Sequence, residues 1–181
     1  MGATDKTASP LKLAAQLMPI VGRELAELTF GVQMLQAAYA RSIDNDLLEE
    51  WPAFFTEACL YKVSSEENMA RRLPLGMIYA DTRGMLRDRV LSLREANIYE
   101  PQRYRHALGT PVLLGRRADG AIEADTGFLV VRTMRDGATM LFASGRYLDR
   151  VEATADGSML FRQKLVVCDS SSVNTLLALP I

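Results

Sequence analysis

Apolar residues recur at spacings of three and four in the first half of the chain and at alternating positions in the second. Leu25, Leu28, Val32, Leu35, Ala38 and Tyr39 fall on one face of a helix over about residues 24–41. Asp46 is a candidate N-cap for a second helix bearing Trp51 and Phe55, with Pro52 in its first turn, where a missing N–H costs little. Residues 59–63 and 75–80 read as strands separated by the polar stretch 64–72. A further helix starts at Asp81 or Thr82 and places Met85, Leu86, Val90 and Leu93 on one side. Beyond Pro101 come four long β-rich runs: 103–114, 121–135, 138–151 and 159–168. They are joined at Asp119-Gly120, Asp136-Gly137 and Asp156-Gly157, dipeptides that supply the positive φ of a tight hairpin, so this half is expected to be an antiparallel meander. Helices followed by a long antiparallel sheet make an α+β arrangement.

The two ends differ in character. Residues 1–10 are small and polar and end in Pro10, as expected of an arm, and residues 11–20 form a short apolar stretch, a candidate docking helix. The tail carries Leu176, Leu177, Leu179 and Ile181, which either pack back on their own sheet or lie against another subunit. Trp51, Phe54 and Phe55 are expected core anchors, and Met134, Met140 and Met159 are read as fillers of core gaps. With 49% hydrophobic residues, 24% charged residues and a net charge of −1, one globular domain is expected, with no general drive toward nucleic acid or acidic membranes. Neither a span of roughly 20 apolar residues nor a secretory leader is evident, so a cytoplasmic location is expected. Cys59 and Cys168 are too few for a disulfide framework and are expected to be buried thiols.

The charged segment 81–106 carries Arg87, Arg89 and Arg94, then Ala96-Asn97-Ile98-Tyr99-Glu100, then Arg103-Tyr104-Arg105-His106. It resembles the central signature of the small (β) subunit of Rieske-type aromatic-ring-hydroxylating dioxygenases. Tyr39-Ala40-Arg41-Ser42-Ile43-Asp44, Trp51-Pro52-Ala53-Phe54-Phe55-Thr56, Val167-Cys168-Asp169-Ser170 and the stretch from Asn174 to Ile181 extend the likeness over roughly residues 31–181. The resemblance implies a nuclear-transport-factor-like cone, with N-terminal helices packed on a curved antiparallel sheet. This cone would span residues 23–181, with 1–22 as an arm outside the match. It further implies a non-catalytic structural subunit. The large (α) subunit would carry a [2Fe-2S] Rieske cluster, a mononuclear Fe(II) and the substrate pocket. The family suggests an α3β3 hexamer with β–β contacts, a reductase acting through the large subunit, and dihydroxylation of a terephthalate-like aromatic carboxylate.

The residues themselves agree with that division of labour. A Rieske cluster takes two histidines and two cysteines, and a mononuclear non-haem iron site takes two histidines and a carboxylate. This chain has one histidine, His106. It has no zinc-type Cys or His pair and no phosphate-cradling glycine loop. No catalytic, cofactor or metal residue is therefore assigned. Asp81, Arg87, Arg89, Glu100, Arg103, Arg105, His106 and Ile181 are expected to form a structural or subunit-interface set, because arginine forks suit carboxylates and are enriched where subunits pack. His106 and the adjacent arginines would pair with Asp81, Asp88 or Glu100. One rival is a stand-alone cone-fold isomerase or dehydratase using Tyr61, Tyr79, Asp81 and His106 for acid–base work. Another is a small-molecule-binding module of the same fold.

Overall fold

A computed structural model describes residues 17–71, 76–95, 100, 102–170 and 179–181. Helix α1 (Gly22–Asp44) buries Val32, Leu35, Tyr39, Ala40 and Ile43, a stripe that follows the helical period. Leu25 and Ala38, expected on that face, lie outside it, because residues 22–27 are exposed all round and the stripe turns toward Gln36 and Ala40. Of the apolar stretch before α1, Leu17–Ile20 is not helical. Met18 forms an isolated antiparallel bridge with Arg116, and Ile20 is buried. Residues 11–16 lie outside the described residues.

The helix expected after Asp46 is replaced by a single 3-10 turn (Trp51–Phe54), and Phe55 opens a strand. Asp46 adopts a left-handed backbone with φ 59°. Arg94 holds that turn, donating to the Asp46 carboxylate and carbonyl and to both oxygens of Glu49 at 2.7–3.0 Å. Strand β1 (Phe55–Ser65) ends where the Ser65 hydroxyl accepts from the Asn68 N–H and caps a short helix, α2 (Glu66–Ala70), inside the stretch read as a polar connection. Strand β2 (Ile78–Ala80) leads to α3 (Arg83–Glu95), whose buried side is Leu86, Val90 and Leu93. Met85 faces outward.

The first β-rich run divides into β3 (Gln102–Leu108) and β4 (Val112–Arg116). Both pair antiparallel with β5 (Ile122–Met134), which continues into β6 (Thr139–Ala153) and β7 (Met159–Cys168). The three hairpin glycines, Gly120, Gly137 and Gly157, have φ of 87°, 88° and 83°. In each turn the preceding aspartate accepts from the N–H two residues ahead of it, at 2.9–3.2 Å.

Sheet order is β2-β1-β7-β6-β5-β3, with β4 beside β5. The meander accounts for β5–β6–β7, but β1 lies parallel to β7, a pairing between distant segments that local pattern cannot announce. Register shifts at Leu113/Gly115, Val130/Val131 and Arg150/Val151 bend and twist the sheet. α1 packs against β3 and β7, and α3 packs against β1. Between them the core is aromatic: Tyr39, Trp51, Phe55, Tyr61, Tyr147 and Phe161 are fully buried and meet mainly edge to face. Cys59 and Cys168 are buried free thiols. Met159 fills space against Gly31, whereas Met140 is exposed.

Candidate functional site

The sequence-selected residues separate into two places, and neither is a catalytic constellation. The first lies where the last turn of α1 meets the edge strand β3. There the Asp44 carboxylate holds His106 twice, accepting from the backbone N–H at 3.0 Å and meeting imidazole Nδ1 at 2.7 Å. The backbone bond matters because β3 is paired with β5 on one side only, and an uncapped edge N–H is a template for unwanted pairing. The His106 side chain is fully buried and Asp44 nearly so. The partner is thus Asp44, not Asp81, Asp88 or Glu100. It is supplied by a helix more than sixty residues earlier, beyond the reach of local reasoning. Arg105, on the opposite face of β3, reaches round the edge to Asn45 at 3.5 Å and Asp44 at 4.0 Å. Arg103 is exposed.

The second place is inside the core. The backbone oxygen of Ile181 accepts from the Tyr39 hydroxyl at 2.7 Å and the Tyr61 hydroxyl at 3.2 Å, and the Ile181 N–H donates back to Tyr61 at 3.1 Å. Leu179 and Ile181 are buried. This resolves the alternatives for that part of the tail in favour of packing on its own fold; Leu176 and Leu177 lie outside the described residues. Burial pushes the Tyr61 phenol up to about 12, partly offset by the bond to Ile181 and by the nearby charge of Arg89. Burial in turn lowers Arg89, while Tyr61 raises it. Ile181 therefore contacts Tyr61, whose phenol also lies within the influence of the Arg89 charge, and neither is tied to His106.

The remaining members do not join either group. Asp81 is exposed and accepts from the Tyr79 hydroxyl at 3.3 Å; Arg87 and Glu100 are exposed. The acid–base set proposed for a stand-alone enzyme is dispersed as well. Tyr61 is buried against the tail, Tyr79 and Asp81 face solvent, and His106 is tied to Asp44.

Sequence reasoning missed the most strongly charged feature of the interior. Lys164 and Asp149 are both fully buried, with Nζ 3.0 and 3.2 Å from the carboxylate oxygens. Gln36 Nε2 donates to Asp149 at 2.8 Å and to the Thr126 hydroxyl at 2.9 Å. Lys164 also lies 3.6 Å from the ring centre of Tyr147, with Phe161 and Tyr39 at 4.4 and 4.7 Å. Burial raises Asp149 against the opposing pull of Lys164 and Gln36, and it lowers Lys164 against the pull of Asp149. The available signal was phase: Asp149 alternates with buried Tyr147 and Val151, and Lys164 with buried Val166 and Cys168. With no exposed atom, this pair ties α1 to the sheet and reaches no substrate. Among the described residues no three histidines, cysteines or carboxylates are grouped to hold a metal ion, and no helix is long and apolar enough to cross a membrane.

The ring-hydroxylating beta subunit family model matches residues 38–174. Beta subunit 1 of the terminal oxygenase component of terephthalate 1,2-dioxygenase from Comamonas sp. is 46% identical over 150 residues, covering 83% of this chain and 96% of that one. The small subunit of anthranilate 1,2-dioxygenase from Burkholderia cepacia is 43% identical over 152 residues, covering 84% and 93%. A solved beta subunit assigned to an aromatic-ring-hydroxylating dioxygenase of Novosphingobium aromaticivorans superposes with a TM-score of 0.79 at 35% identity, covering 87% of this chain and all of that one. The curved-sheet cone is shared with that solved subunit, and ActVI-ORFA of Streptomyces coelicolor, at 22% identity and a TM-score of 0.62, shares the fold alone. Matched over most of its length in sequence and superposing on a solved member, the chain belongs to the beta subunits of aromatic-ring-hydroxylating dioxygenases.

Proposed function

We propose that this chain is the structural subunit of a terminal oxygenase acting on an aromatic carboxylate, assembled with a large subunit as α3β3. The Rieske cluster, the mononuclear iron and the ring-binding pocket belong to that large subunit, which receives electrons from a reductase. One observation carries the non-catalytic reading. The interior that a cone-fold isomerase would keep open is occupied by Tyr39, Trp51, Tyr61 and the chain's own Ile181, all fully buried. The iron chemistry needs at least two histidines at either centre, and one is present in the whole sequence. The aromatic-carboxylate class is supported by the relatives at 46% and 43% identity, one named for terephthalate and the other for anthranilate. Asp81, Arg87, Glu100, Arg103 and Arg105 fit exposed contact positions, whereas Arg89, His106 and Ile181 fit roles inside the fold.

Co-expression with the cognate large subunit tests this. The expected result is a hexamer of defined mass that consumes O2 in the presence of terephthalate and reductase, with iron only in the large chain. Isolated small chain that binds about one redox-active iron, or a large chain that assembles and turns over fully without it, would refute the reading.

A further inference from the structure

The outward stripe of α1 runs Phe30, Met34, Ala37, Arg41, spaced four, three and four apart, so these side chains share one face. Phe30 and Met34 are 64% and 53% exposed. Beside this stripe a groove of about 320 Å3 separates α1 from β3, walled by Ala37, Ala40, Leu108 and Gly109, with Arg41 and Arg105 along it. The small walls leave room for a side chain from outside. Charge there is unbalanced. Among the described residues the Arg41 side chain has no ion-pair or hydrogen-bond partner, its carbonyl accepting from the Asn45 N–H, and Arg105 makes only its long side-chain contacts to Asn45 and Asp44. The one carboxylate lining the groove, Asp44, is committed to His106 and is only 10% exposed. Apolar side chains of this kind flanking one unpaired and one weakly paired arginine match the composition of protein contact patches.

Taking the proposed function as its basis, we propose that this groove receives a segment of the large oxygenase subunit carrying a carboxylate beside an apolar side chain. Arg41 and Arg105 both line the groove and offer two guanidinium forks to an incoming carboxylate. A second copy of this chain is a poorer occupant. A contact of this face with itself would set Arg41 and Arg105 against their own counterparts, and a three-fold contact between copies would need a free carboxylate on another face to enter the groove. The carboxylates at the exposed start of α1, Glu24 and Glu27, are already paired with Arg116 and Arg23.

The test uses full-length chain and its cognate large subunit. The variants are Arg41→Glu/Arg105→Glu, the milder Arg41→Glu alone, Met34→Asp, and Arg135→Glu in the exposed turn between β5 and β6 as control. Affinity is measured by sedimentation at about 50 and 300 mM salt, with circular dichroism confirming the fold. The double charge reversal is expected to weaken binding by about tenfold or more at low salt, with a smaller loss at high salt, where repulsion is screened. Arg41→Glu and Met34→Asp should each weaken it several-fold, and Arg135→Glu should leave it within about twofold. Wild-type affinity in folded Arg41→Glu and Met34→Asp would overturn the proposal. So would variants that keep the large subunit but lose self-association of the small chain, which would assign the groove to contacts between copies. Wild-type chain that fails to bind the large subunit at all would instead refute the proposed function.

Discussion

Replacing Lys164 with Met is the most discriminating perturbation of the fold. The substitution is close in volume but removes the cation from between Asp149 and the rings of Tyr147, Phe161 and Tyr39. It leaves a fully buried carboxylate with Gln36 as its remaining side-chain donor. Breaking one half of a buried pair typically costs about 3–5 kcal/mol, because the surviving charge stays desolvated. At roughly 2–4 °C per kcal/mol for a domain of this size, the melting temperature should fall by roughly 6–20 °C. The pH dependence supplies an independent signature. Burial already raises Asp149, and without Lys164 the main force holding it down is gone. A carboxyl whose folded pKa exceeds its unfolded value, about 3.9, binds more protons when folded, so stability rises as pH falls through that window. The deficit of Lys164→Met should therefore shrink from pH 7 toward acid. The double variant Lys164→Met/Asp149→Leu should recover most of the loss. Thermal unfolding by circular dichroism at several pH values measures all three. A loss below about 1 kcal/mol, or a deficit that grows on acidification, would refute the account.

Three further outcomes follow from other parts of the fold. His106→Ala should destabilise the chain by about 1–3 kcal/mol in urea unfolding, since it strips a buried partner from Asp44, while turnover per assembled active site stays near that of the wild type; a stable, assembled variant with turnover reduced about 100-fold would point to acid–base chemistry instead. Tyr39, Tyr61 and Tyr147 are all raised by burial, so the neutral folded phenols contribute stability that is complete below about pH 10 and is lost as pH climbs through their folded values; far-ultraviolet dichroism against pH should show steep alkaline unfolding, shallower in Tyr61→Phe. A Cβ at Gly145 would sit 2.1 Å from the Val167 carbonyl oxygen, whereas one at Gly127 meets nothing within 4 Å; Gly145→Ala should lower the urea midpoint by an amount worth about 1–3 kcal/mol and Gly127→Ala far less.

The helices and hairpins were readable because their causes are local. The α1 stripe repeats with the helical period, and each Asp-Gly turn carries both the positive-φ residue and the side chain that closes it. Reading failed where a distant group decided the outcome. Asp46 suggested a helix cap, yet Arg94 of α3 holds it in a turn and the aromatic run after it extends into β1. Ala38 fits the period but points away from the sheet, while Gln36 is drawn inward by Asp149 and Thr126.

For the candidate site the division is sharper. Sequence by itself determined that this chain cannot build either iron centre, since one histidine is an arithmetic limit that no folding can relax. It also determined the α+β order of elements and, through contiguous motifs, the family. Only the tertiary structure decided what the singled-out residues do. It gave His106 to Asp44, brought Ile181 onto Tyr61, and left Arg41 and Arg105 lining a groove. It also placed Lys164 and Asp149 opposite each other across neighbouring strands, out of reach of water. The physical reason is that propensity and periodicity act within a few residues, whereas charge pairing and desolvation depend on which segments the curved sheet brings together.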